Sequence, residues 1–230
     1  MTERGLFIAI EGGDGTGKAT QAEILRKYFS EELKKDVFKI SFPRYTEKSS
    51  YYASQYLNGA YGSADQISGD LAGLAYAVDR FAAKDEMTTF LDRPSSIIVA
   101  DRYVASNLAH QGTKFTDTKE RKEYYERAMY LEYDIFGIPR PDINIVLLMS
   151  TEMMQSNVDK KDTRSYTDKK RDIHEADASH LDRAKANYEE LCQLYPDKFI
   201  AIQCIDEKNQ MKSIDEIQQQ IRTSIKTHIK

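Results

Sequence analysis

Apolar positions recur along the chain in two rhythms. Short runs at Leu6–Glu11, Val37–Phe42, Ser96–Ala100, Ile143–Met149 and Phe199–Cys204 are apolar with little interruption, the mark of parallel strands covered on both faces. Between them the apolar positions return every three or four residues, as at Ile24, Leu25, Tyr28 and Phe29. Such stretches predict helices with one buried side, among them Ile67 to Leu91, the tyrosine-rich Glu120 to Phe136 ended by Gly137, and a closing helix from Ile214 to Ile229. Strand and helix alternate throughout, which predicts an α/β fold: a five-stranded parallel sheet with helices on both faces. No repeat, low-complexity tract or Pro/Gly/Ser linker divides residues 1–230, so the chain reads as one domain.

Composition narrows the class. The chain has 230 residues, 40% hydrophobic and 30% charged, with mean hydropathy −0.63, as in soluble globular proteins with a full core. A net charge of −4 argues against general adhesion to nucleic acid or anionic membrane. No apolar run approaches the ~18 residues of a membrane span, and the stretch before Gly12 is too short for a signal-peptide core. Cys192 and Cys204 form neither a metal spacing nor a disulfide framework and read as buried reduced thiols of a cytoplasmic protein.

Ligands of such sheets sit outside the carboxyl ends of the strands, and the first strand runs into GGDGTGKAT. Gly12, Gly13, Asp14, Gly15 and Thr16 form a phosphate loop whose backbone N–H groups can cradle a polyphosphate. Gly17, Lys18, Ala19 and Thr20 lead into a helix, with the lysine placed to reach outer phosphates. The position after the lysine usually offers a hydroxyl to Mg²⁺, but here it is Ala19. Thr20 lies about 100° further round the helix and is a poor substitute, so a metal must lean on carboxylates or water.

Other strand tips carry chemistry as well. The second ends in Pro43, Arg44 and Tyr45, with the last two expected to point into the crevice. The third ends in Asp101 and Arg102, a candidate metal carboxylate and a phosphate-gripping fork, or simply an ion pair capping the strand. Tyr76 and Arg80 share a helix face, as do Asn107 and Gln111. A ring over a guanidinium and a pair of amides suit a base, although packing and solvation would explain either pair alone. Asp159 to Glu175 carries six Lys or Arg against five Asp or Glu without apolar periodicity. Beside a phosphate loop this reads as a mobile lid, with Arg164 or Arg171 reaching the transferring phosphoryl group. His174, inside the same segment, is assigned no chemistry.

Taken in order, GGDGTGK, FPRY, Tyr76 to Arg80, DRYVASN, the Pro-Arg-Pro-Asp lead-in to the fourth strand, and DIHE followed by a helix with Tyr188 resemble the thymidylate kinases of the phosphate-loop nucleoside monophosphate kinase class over essentially the whole chain. The resemblance implies transfer of the ATP γ-phosphoryl group to dTMP with Mg²⁺, small-molecule substrates and a homodimer. It assigns Tyr76 to stacking on thymine and Arg80 to the base edge, and Asn107 and Gln111 to the surroundings of the base. Tyr45 falls to the deoxyribose, and Arg44 and Arg102 to the monophosphate. Asp14 and Lys18 fall to the donor phosphates or metal, and Asp172 and Glu175 to the sugar and the metal.

Three positions depart from the family pattern. Gly15 stands where some members carry an arginine, which by the resemblance puts the catalytic arginine in the lid, at Arg164 or Arg171. Ala19 keeps an inactive relative open. His110 falls where close relatives place tyrosine, leaving the choice of deoxyribose over ribose unassigned. A broader pyrimidine nucleotide kinase and a phosphate-loop switch without an acceptor are the rival functions.

Overall fold

The computed structural model describes residues 4–159 and 178–229. Five strands, β1 (Leu6–Gly12), β2 (Val37–Ser41), β3 (Ile97–Asp101), β4 (Ile143–Leu148) and β5 (Phe199–Gln203), form one parallel sheet in the order β2-β3-β1-β4-β5. The helices are α1 (Lys18–Lys27), α2 (Tyr51–Leu57), α3 (Gly69–Ala82), α4 (Lys84–Leu91), α5 (Val104–Gly112), α6 (Thr118–Met129), α7 (Thr151–Asp159), α8 (Ala178–Leu194) and α9 (Ile214–Ile225).

Side-chain alternation along the strands builds two cores. Phe7, Ala9, Ile98, Ala100, Val146 and Leu148 point to one face and meet Met87, Leu91, Leu108, Tyr124, Tyr125, Tyr188 and Leu191. Ile8, Ile10, Val99, Ile145 and Leu147 point to the other and meet Ala22 and Leu25 of α1 and Ile217, Ile221 and Ile225 of α9. Each fully buried side chain of this size contributes about 1.5–3 kcal/mol. Two-sided cover therefore holds for β1, β3 and β4. The edge strands depart from it, since Ser41 in β2 and Ala201 and Gln203 in β5 are exposed.

Three predicted helices are interrupted. The stretch Ile67 to Leu91 divides at the fully buried Ala83 into α3 and α4. Beyond α6 the chain widens into a π-helical turn over Tyr130–Ile135, and α9 tightens into a 3-10 turn over Lys226–His228. The register places β1 at the centre, Ile10 facing Asp101 of β3 on one side and Ile145 of β4 on the other. The phosphate loop thus leaves the middle of the sheet's carboxyl edge, flanked by the tip of β3.

Candidate active site

The loop between β1 and α1 turns through Gly12, Gly15 and Gly17 at φ 137°, 87° and 88°, a region costly to any residue with a Cβ. At Gly15 space is as restrictive as torsion: a Cβ there would lie 2.2 Å from the Met154 carbonyl oxygen of α7. From the same helix Asn157 Nδ2 donates to Gly15 O at 2.9 Å. The Thr16 hydroxyl and Lys18 Nζ donate to Gly13 O at 2.9 and 2.7 Å, and α1 begins at Lys18, aiming its positive end at the loop. Ala19 and Thr20 are both exposed on the first turn of α1.

Arg102 follows β3 at φ 67°, a conformation that non-glycine residues adopt mostly under constraint. Its guanidinium donates to Asp14 Oδ1 at 2.6 Å, Ser106 Oγ at 3.1 Å and Gly12 O at 3.3 Å. Asp14 lies 4.0 Å from Lys18 Nζ. Burial pushes its carboxyl upward, but Arg102 and Lys18 outweigh that and hold it far below the usual range. Glu11, fully buried beneath the loop, behaves oppositely: desolvation raises its pKa, offset only in part by Ser106, Arg102, the Tyr103 N–H and Lys18. Its carboxylate accepts from Ser106 Oγ at 2.6 Å and Tyr103 N at 2.8 Å.

Beside Arg102 opens a partly enclosed cavity. It joins Asp14 and Arg102 to Tyr45, Tyr76, Arg80, Asn107, His110 and Gln111. Arg80 is held in its wall by a buried two-point ion pair with Glu132, 2.5 and 2.7 Å. Asn107 Nδ2 donates to Gly73 O at 3.1 Å and to Glu132 at 3.2 Å. Its Oδ1 is therefore left as an acceptor and has no hydrogen-bond partner among the described residues.

The predicted residues thus converge, with exceptions. Arg44 does not line the cavity; its Nε and Nη2 donate to Asp79 Oδ1 at 3.1 Å and Asp79 O at 2.9 Å, because Asp79 is a fully buried acid needing a cation. Asp101 closes β3, half-buried and outside the cavity lining. Arg164, Arg171, Asp172 and Glu175 lie outside the described residues, as does the expected lid beyond Asp159. Glu11, Asp79, Glu132 and Asn157 are new. Glu132 had a legible signal, since it follows Tyr125 and Ala128 by seven and four residues and so continues their buried stripe. Among the described residues no group of three His, Cys, Asp or Glu is placed to hold a metal ion. The hard carboxylate of Asp14 at a phosphate loop fits Mg²⁺ arriving with nucleotide oxygens and water, but not an all-protein cage.

A phosphate loop at the centre of this sheet, with a cavity on its flank that joins charged residues to aromatic and amide ones, defines a nucleotide-dependent phosphotransferase. Residues 10–221 match the sequence profile of the thymidylate kinase family. The thymidylate kinase of Mycobacterium tuberculosis is 31% identical over 196 residues, covering 81% of this chain and 85% of that one. A probable thymidylate kinase of Pyrococcus abyssi is 26% identical across 97% of both. The solved thymidylate kinase of Candida albicans shares the fold with a TM-score of 0.69 at 22% identity, covering 98% of this chain and 92% of that one. The chain belongs to the thymidylate kinase family, and its reaction is the phosphorylation of dTMP.

Proposed function

We propose that the donor is ATP with Mg²⁺, bound at residues 12–20, and that dTMP occupies the cavity beside Arg102. The observation that carries this reading is the single cavity joining Asp14 and Arg102 at one end to Tyr76, Arg80, Asn107 and Gln111 at the other. A phosphate end and a base end thereby share one cavity. The Asn107 amide lines the base end, Tyr76 offers a ring face, and Tyr45 lines the sugar region. Lys18 and the loop amides hold the donor phosphates, while Arg102 aligns the acceptor phosphate, so catalysis is positioning and charge stabilisation. Bound Mg²⁺ would supply charge neutralisation to the donor phosphates, with Asp14, Asp101 and Glu175 as the carboxylates that would hold it. No general base is needed, because the acceptor is already an anion.

The family resemblance assigns the cation on the transferring group to Arg164 or Arg171. Replacing the acting one with Ala is expected to lower kcat by about 10³–10⁵, and replacing the other far less. The two cysteines, whose thiols burial pushes up to about 11, and the nucleotide chemistry support a cytoplasmic setting. A second copy is assigned to the outer face of α3, where Leu71, Leu74 and Phe81 are exposed.

The test is ADP formation from ATP and Mg²⁺ with dTMP, dUMP, dCMP, dGMP, dAMP and UMP offered separately. Turnover led by dTMP, abolished by Lys18→Met and by chelation of Mg²⁺, is the expected result. ADP release indifferent to every acceptor would favour the switch and defeat the reading.

A further inference from the structure

Behind the Arg102 wall of the cavity, two buried histidines on different helices stand ring to ring. His110 Nδ1 is 3.3 Å from His180 Nε2, the ring centroids 5.5 Å apart and the planes 28° off parallel. His180, in the first turn of α8, places Nδ1 3.2 Å from Thr113 Oγ1. Thr113 donates its one hydroxyl proton to His110 O at 2.8 Å, and Arg102 Nη1 reaches His110 Nε2 at 3.5 Å.

The Thr113 end of this row sets its protons. The His110 carbonyl only accepts, so Thr113 gives its hydroxyl proton there and its oxygen accepts from His180 Nδ1–H; the contact between the rings then runs from His110 Nδ1–H to His180 Nε2. The Nε2 lone pair of His110 is thereby turned toward the Arg102 guanidinium, whose Nη1 hydrogens go to Ser106 Oγ and Gly12 O at shorter range.

We propose that His180 and Thr113 are positioning residues of the acceptor site: they hold His110 with its Nε2 lone pair toward Arg102 and so steady that guanidinium in the cavity. The inference rests on the reading of Arg102 as the arm for the acceptor phosphate. It gives a role to His110 and ties the first turn of α8 to the wall of the site.

The test begins with the full-length wild type carrying ¹⁵N-labelled histidine. Long-range ¹H–¹⁵N NMR should find Nδ1–H and bare Nε2 at His110 and at His180, the signals assigned by their loss in His110→Asn and His180→Gln. Thr113→Val should then release the His180 tautomer and raise KM for dTMP roughly 3- to 10-fold, the weight of one hydrogen bond. KM for ATP should stay unchanged, and Thr113→Ser should restore both the tautomer and KM. Nε2–H at His110 in the wild type, or Thr113→Val with an unaltered KM for dTMP, would overturn the relay. Should Thr113→Val not fold, the wild-type tautomers and Thr113→Ser decide. Wild-type protein without dTMP turnover would instead defeat the reading of the cavity, leaving the NMR result to judge the relay alone.

Discussion

Buried acids paired across the fold set the geometry of the site. Glu11 has a higher pKa in the folded chain than in the unfolded one. It therefore favours folding below the ordinary carboxyl range and loses that contribution as pH rises through the folded value. Glu11→Gln should accordingly raise the denaturant midpoint at pH 8 more than at pH 5. It should also cut kcat/KM about tenfold, because Gln reverses the hydrogen bond that Ser106 makes while accepting from Arg102. Glu132→Ala leaves Arg80 buried without its counter-ion and should cost about 3–5 kcal/mol in urea unfolding. Lys18, Tyr76, Arg80, Asn107 and Gln111 were legible in the sequence because each belongs to a local motif. Glu11 and Asp79 were not singled out, since what defines them is a serine or arginine 95 or 35 residues away that no local pattern reveals; Glu132 differs, its place in a buried stripe being local while its partner Arg80 is 52 residues off.

The elements themselves were more readable, because hydrophobic period is a local property. All five strands fall within a residue or two of expectation, and α9 keeps its stripe of Ile217, Ile221 and Ile225 against the sheet. Ile221→Ala should destabilise the chain by about 2–5 kcal/mol in thermal or urea unfolding while leaving KM for dTMP unchanged. What period does not encode is where a helix breaks. Ala83 is a strong helix former yet ends α3, because tertiary packing redirects α4 there. Nor does it encode helix-to-loop contacts: Asn157 reads as a polar residue of an amphipathic helix, but it binds Gly15 O and makes α7 a brace for the phosphate loop. Asn157→Ala should raise KM for ATP more than KM for dTMP in steady-state assays.

At the scale of the whole molecule, α3 separates two surfaces. Tyr76 and Arg80 face the site, while Leu71, Leu74 and Phe81 face outward. If a second copy covers that outer face, Leu74→Glu should shift the sedimenting species from dimer to monomer at micromolar concentration; a mass unchanged from wild type would remove the assignment. The five-stranded parallel sheet was foreseeable from the alternation of elements, whereas the outer face of α3 resembled core in sequence because apolar residues look alike whichever neighbour buries them. The contact of Met154 with Gly15 bears also on descent. A glycine codon is one base from arginine, yet the α7 carbonyl denies position 15 any side chain. A lineage holding this arrangement would have to remodel the helix before any side chain could be tried there, so an arginine at position 15 lies across a valley that no single mutation crosses.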